Sequence, residues 1–353
     1  MAASGGIKNK FLTWLRISNK PVVKVYRGYV QQEKAVLFGH VLRLSPLPRK
    51  KYRKNFWVNT FALLRLFITR PVQGATVKVK GIQQDVRYVT EKDGFFRLEW
   101  TPEKPFPPGW HPVEVDLITD YLGPDKPVAT GEGAVYRSHP TQYGLVSDID
   151  DTFLISHSAN LRKRLRVLLT ENAYSRDPFE GVVRHYQLLA RAGTMPEAPN
   201  PFFYVSSSEW NLYDYILTFC EKNQLPDGVY LLSQIKRFRE IWKTGQNKHV
   251  TKFARIVRIL EAFPDMKFVL LGDDTQEDPN IYTSLVSHFP QQIRCVYLRR
   301  VHKNNEARTQ VFVDQITAAG VPCCYFTHSA EAIRHSERIG LVEATGSKNS
   351  ESR

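Results

Sequence analysis

Residues 143–154 read YGLVSDIDDTFL, and how they are read decides the fold of everything after them. Leu145 and Val146 begin an apolar run that stops at Asp148, and Asp150 and Asp151 follow at once. Such a run reads as a short strand whose carboxyl end meets water, a counter-ion or a metal, because a lone buried carboxylate is costly. Asp148 and Asp150 are two residues apart, so on a strand their side chains leave from one face.

Working downstream, the apolar runs PFFYVSSS, GVYLLS, KFVLLGDD, IRCVYL and PCCYFT alternate with helical patterns such as EGVVRHYQLLARAG, WNLYDYILTFCEKNQ and KHVTKFARIVRILEAF. This repetition predicts an α/β domain over residues 141–342, a Rossmann-like parallel sheet with helices on both faces. In such sheets the working residues sit at the carboxyl ends of the strands. Residues 343–353 read as a disordered tail.

Upstream, residues 21–140 read as β. VVKVYRGYV, KAVLFGHVLRL and GWHPVEVDLI are strand-like, and GATVKVKGIQQDVRYVTEKDGFFRLEW divides into three short strands with turn signals at Gly81 and Asp93-Gly94. Regularly spaced short strands predict a small β-sandwich-like domain. Residues 49–70, RKKYRKNFWVNTFALLRLFITR, pair a basic run with an apolar one and read as a connecting loop and helix, or as a surface patch. Residues 1–20 form an amphipathic segment with Ile7, Phe11, Trp14 and Leu15 at helical spacing among Lys8, Lys10 and Arg16. It fits a helix docked on its own domain, or one lying on anionic lipid.

The whole chain has 353 residues, 42% of them hydrophobic, and a formal charge of +14. The excess of base favours an anionic partner. The start lacks the unbroken apolar core of a signal peptide, and no run approaches the ~20 apolar residues of a spanning helix. Cys220, Cys295, Cys323 and Cys324 lack paired zinc spacing. A cytoplasmic protein, soluble or peripheral at a membrane, is expected.

Strand ends carry the chemistry. The first ends in Asp148, Asp150, Asp151 and Thr152, the next in Ser206, Ser207 and Ser208, and a later one in Gly272, Asp273 and Asp274, with Asp278 soon after. A helix starting near Lys248 brings Lys252. Parallel strands would gather these at one edge. Two groups of carboxylates, a hydroxyl cluster and a lysine are what Mg²⁺-assisted chemistry on a phosphate needs. One aspartate can attack phosphorus while another handles protons.

SDIDDT resembles the first motif of the haloacid-dehalogenase superfamily, Asp-x-Asp-x-Thr. The fuller set SDIDDT, FYVSSSEWNLYD and KFVLLGDDTQEDPNIY is similar to the phosphatidate phosphatases of the yeast actin-patch type, relatives of the lipins. The resemblance implies Asp148 as nucleophile, Asp150 as general acid and then base, and Thr152 as the residue fixing the loop. Ser206 and Ser207 would meet the substrate phosphate, with Lys252 steadying it and Lys248 as the alternative lysine. Mg²⁺ would be held by Asp148, Asp150 and Asp273, with Asp278 in support. GDDTQ and SSSEW depart from the family's usual Gly-Asp-Ser-Gly-Gln and Ser-Asn-Ser-Pro-Trp, which leaves Asp274 without a role. Little room for a cap between the first two motifs implies an open site, suited to a phospholipid phosphomonoester on an anionic membrane surface. Arg162, Lys163, Arg164 and Arg166 could meet its headgroups. The alternatives are a soluble phosphomonoester or a nucleic-acid end as substrate, or a catalytically silent lipid- or protein-binding module. Nucleic acid is not the expected partner.

Overall fold

The structure, a computed structural model, describes residues 17–18, 20–46, 65–82, 86–118, 126–139, 143–149, 180–235, 248–275 and 277–343. The expectations for the amphipathic start through Arg16, for the basic run 49–64, for Asp150, Asp151 and Thr152, for the cap region with Arg162 to Arg166, and for the tail from 344 lie outside these residues.

The first half is built of strands β1 (Ile17–Ser18), β2 (Val22–Val25), β3 (Arg27–Gln31), β4 (Lys34–Pro46), β5 (Arg70–Pro71), β6 (Thr76–Val79), β7 (Arg87–Val89), β8 (Phe95–Trp100), β9 (Gly109–Ile118) and β10 (Ala129–Arg137). All ten join one hydrogen-bonded sheet, in which the long β4 pairs with β1, β2, β3, β5 and β8. The pairings are antiparallel except β3 with β10. The sheet closes over an apolar core that includes Val23, Leu37, Val77, Phe96, Val115 and Val135. Strand β10 lacks a readable apolar pattern because it carries glycines where another strand presses on it. A Cβ on Gly131 would lie 2.3 Å from the Val23 carbonyl oxygen, and one on Gly133 would lie 2.4 Å from Val25.

The second half is a six-stranded sheet of β11 (Gly144–Asp148), β12 (Phe202–Glu209), β13 (Gly228–Ser233), β14 (Phe268–Asp273), β15 (Ile293–Arg299) and β16 (Cys323–Phe326). All its pairings are parallel, and the spatial order is β13-β12-β11-β14-β15-β16. Every residue of β11, β12 and β14 is buried, which accounts for their unbroken apolar runs. The helices are α1 (Val182–Ala190), α2 (Tyr213–Lys222), α3 (Lys248–Ala262), α4 (Asp278–His288), α5 (Glu306–Ala318) and α6 (Ser329–Arg338). Sheet growth reverses direction after β13. With right-handed crossovers, α1 and α2 then cover one face and α3, α4 and α5 the other. The packing agrees: α3 touches α4, α4 touches α5, and α1 touches α6. No helix among the described residues is long and apolar enough to cross a membrane.

One core crosses between the halves. Tyr26, Tyr29 and Phe38 from the antiparallel sheet belong to the same buried cluster as Phe203, Phe263 and Leu270. Tyr26 stacks on Trp210 at 4.2 Å between ring centroids, and its hydroxyl meets His40 Nδ1 at 3.0 Å. Lys24 pairs with Asp214 at 2.5 Å, and the Asn211 side chain donates to the Leu66 carbonyl at 3.0 Å.

Candidate functional site

Reversal of strand order between β11 and β14 opens a crevice at their carboxyl ends, where ligands of open α/β sheets bind. Asp148 is the last residue of β11 and Asp273 the last of β14. Asp278 opens α4 just beyond. Oxygens of these three buried carboxylates lie within 4.8 Å of one another. Gly272 makes the approach possible: a Cβ there would lie 2.6 Å from Asp278 Oδ2 and 2.7 Å from the Tyr282 ring.

Lys252 comes from the first turns of α3 and is 2% exposed. Its ammonium lies 2.8 Å from Asp148 Oδ1 and donates to Asp278 Oδ1. Burial works against the charged amine, yet Asp148 and Asp278 outweigh it and raise the Lys252 pKa above the ordinary lysine value. Lys252 therefore stays protonated and fixes both carboxylates. The side chain of Lys248, the alternative, lies outside the described residues.

The other acids are held by the backbone. Asp273 Oδ1 accepts from the Thr275 amide at 2.5 Å and from its hydroxyl at 2.6 Å. Asp278 Oδ2 accepts a long 3.5 Å bond from the Asp273 amide. Asp274, which the sequence left without a role, binds the turn after β15. Its Oδ1 accepts from the Val301 and His302 amides at 2.9 and 3.3 Å, and its Oδ2 from the Tyr325 hydroxyl at 2.7 Å. The ends of β14, β15 and β16 are thereby tied together.

Ser206, Ser207 and Ser208 are buried at the carboxyl end of β12. Val205 pairs with Asp148 across the ladder, so Ser206 stands one residue beyond the level of the acid. The Ser206 hydroxyl accepts from the Ser208 amide at 2.8 Å. The structure thus gathers Asp148, Lys252, Asp273 and Asp278 and sets Ser206 and Ser207 on the neighbouring strand end. Sequence reading missed Arg299, which pairs in register with Asp273 and is buried. It donates to Ser329 Oγ at 2.7 Å and to the Thr327 carbonyl at 3.2 Å. Burial lowers its pKa to about 10, with Tyr186 and Asp273 acting the other way, so it is a second cation at neutral pH. The signal was there in the first of the two arginines that close the run IRCVYLRR.

Among the described residues Asp148, Asp273 and Asp278 bring their carboxylates together, and the ligand atoms they offer are all oxygen. That set fits a small hard dication, which takes one or two carboxylates together with water and substrate oxygens. Asp148 and Asp273, at adjacent strand ends, are the residues that would hold it, with Asp278 beside them. A cleft of about 530 Å³, lined by Trp110, Tyr136, Phe202 and Gly228 among others, lies elsewhere. Phe202 and Gly228 begin their strands, which places that cleft at the opposite end of the sheet from the acids.

Residues 143–300 match the family described as phosphatidate phosphatase APP1, catalytic domain. Over 193 residues the chain is 31% identical to phosphatidate phosphatase APP1 of Saccharomyces cerevisiae, a match covering 53% of this chain and 30% of that protein. It is 21% identical over 159 residues to an uncharacterised protein of Schizosaccharomyces pombe, covering 44% and 25%. The chain thus spans less than a third of the length of these curated relatives. A solved carbohydrate esterase aligns at 10% identity with a TM-score of 0.23, covering 86% of this chain and 96% of that one, and no shared fold follows at that level. The matched segment is the one that carries the acids, the serines and Lys252.

Proposed function

We propose that this protein is a Mg²⁺-dependent phosphatase of the haloacid-dehalogenase type. It hydrolyses phosphatidate, or a closely related phospholipid phosphomonoester, to diacylglycerol and inorganic phosphate. The observation that carries the reading is Lys252, buried between Asp148 and Asp278 with Asp273 in the same cluster at the reversal of the sheet. The match of residues 143–300 to the APP1 catalytic family supports the substrate class.

In this reading Lys252 directs Asp148 by engaging Oδ1. Asp148 attacks phosphorus through Oδ2, and the bond to the glycerol oxygen breaks. Asp150, assigned from the Asp-x-Asp-x-Thr resemblance, gives that oxygen its proton. It then takes a proton from the water that cleaves the aspartyl-phosphate. Ser206 and Ser207 hold the phosphoryl oxygens. A bound Mg²⁺ supplies charge neutralisation for those oxygens. Asp278 acts on the site by holding Lys252 and the Asp273 amide in place. The net charge of +14 suits work at an anionic bilayer, where the protein would be cytoplasmic and peripheral.

The test is phosphate release by the purified chain from phosphatidate in vesicles and from soluble p-nitrophenyl phosphate, with Mg²⁺ and with chelator. Release from vesicles that needs Mg²⁺ and vanishes in Asp148→Asn, with the fold retained, is expected. Turnover of the soluble ester alone would move the substrate away from lipid. Full activity of Asp148→Asn would remove the covalent mechanism.

A further inference from the structure

Strand β12 breaks its ladder with β13 where the serines lie. Val205 pairs with Leu231 and Glu209 with Ser233, so four steps along β12 match two along β13. Ser206, Ser207 and Ser208 form the resulting bulge, and bulges re-aim side chains next to sites. Backbone carbonyls at such a break need donors from elsewhere. Arg255 supplies them. Its Nη1 donates to the Ser206 carbonyl at 2.8 Å and more weakly to the Leu231 carbonyl at 3.4 Å, and its Nη2 donates to Ser233 Oγ at 3.0 Å.

Arg255 and Lys252 are three residues apart on α3 and therefore share a face of the helix. One face of one helix so carries both cations: Lys252 directs the acids, and Arg255 grips the serine bulge. The planar guanidinium spans two strand ends at once, which a lysine ammonium cannot do in the same geometry. Burial, followed by the nearby Arg258, lowers its pKa to about 10, so it remains charged at neutral pH.

We propose that Arg255 is a positioning residue for the phosphate-binding side of the site, acting through the Ser206–Ser208 bulge. The inference rests on the phosphatase reading given above. Arg255 holds the Ser206 backbone, and so sets where the Ser206 hydroxyl and the following amides stand when a phosphoryl group arrives. It does not itself touch the substrate.

The experiment compares full-length wild type, Arg255→Ala, Arg255→Lys, Ser206→Ala and the Arg255→Ala/Ser206→Ala double variant, using phosphatidate vesicles with Mg²⁺. Wild-type turnover is measured first, because its absence overturns the phosphatase reading rather than the role of Arg255. Amide hydrogen exchange at residues 206–209 is followed separately and needs no activity. Arg255→Ala should raise KM about tenfold, the size of a lost charged hydrogen bond, with a smaller change in kcat. Amide exchange at the bulge should quicken while exchange in β14 stays as in wild type. Added guanidinium at millimolar concentration should restore part of the KM, and Arg255→Lys should remain impaired. In the Ser206→Ala background the Arg255→Ala change should add little, since both act through one element. Unchanged exchange at 206–209, or full additivity of the two substitutions, would overturn the proposal.

Discussion

Replacing Lys252 with methionine removes the ammonium that touches both Asp148 and Asp278 and keeps much of the side-chain volume. The lysine and both carboxylates are buried, so the charges left behind have little water to turn to. Removing one partner of a buried ion pair costs about 3–5 kcal/mol. Lys252→Met should lose that much stability in urea unfolding followed by circular dichroism at neutral pH. The double variant Lys252→Met/Asp278→Asn discharges one of the stranded acids and should recover about 2 kcal/mol of the loss. The pH dependence has a definite sign. The folded Lys252 pKa lies above the ordinary lysine value, so its contribution is complete at neutral pH and fades only as pH rises past that value. The gap between wild type and Lys252→Met should therefore stay level between about pH 6 and pH 9. A loss under about 1 kcal/mol, or additive effects in the double variant, would refute Lys252 as the counter-ion of the cluster.

Two further outcomes follow from the packing. Gly272→Ala puts a methyl 2.6 Å from Asp278 Oδ2 and 2.7 Å from the Tyr282 ring, and overpacking of this kind costs about 1–3 kcal/mol, readable as a lowered thermal midpoint together with weakened turnover. His185 is buried, and burial, with Arg299 and His335 behind it, pushes its pKa from 6.5 down to about 3. The unfolded chain binds a proton there that the native state does not, so stability drains as pH falls from about 6.5 toward 3; His185→Gln should flatten that acid limb in urea titrations.

The parallel sheet was legible because its strands are buried on both faces and read as unbroken apolar runs, and PFFYVSSS or KFVLLGDD could hardly be anything else. The gathering of Asp148 and Asp273 was legible for the same reason, since parallel strands put their last residues at one edge, and Lys252 was legible as a residue early in a helix that leads into one of those strands. The antiparallel half was harder to read. Strand β10 escaped because Gly131 and Gly133 answer to Val23 and Val25 of β2, a contact from more than a hundred residues upstream that no local pattern encodes. Arg255 and Arg299 escaped for a related reason. Each is an ordinary basic residue in its own segment, and its importance lies in ladder register and helix placement. Asp274 stood out as a departure from a familiar pattern, but its work depends on where the turn after β15 folds back.

The stack of Trp210 on Tyr26 ties the halves of the chain at a sensitive point, four residues past Ser206. A change at Tyr26 therefore reaches the segment that follows the Ser206–Ser208 bulge, although Tyr26 belongs to the other half of the chain. The two regions are thus coupled by packing: a substitution on either side of the stack alters the surface the other side rests on.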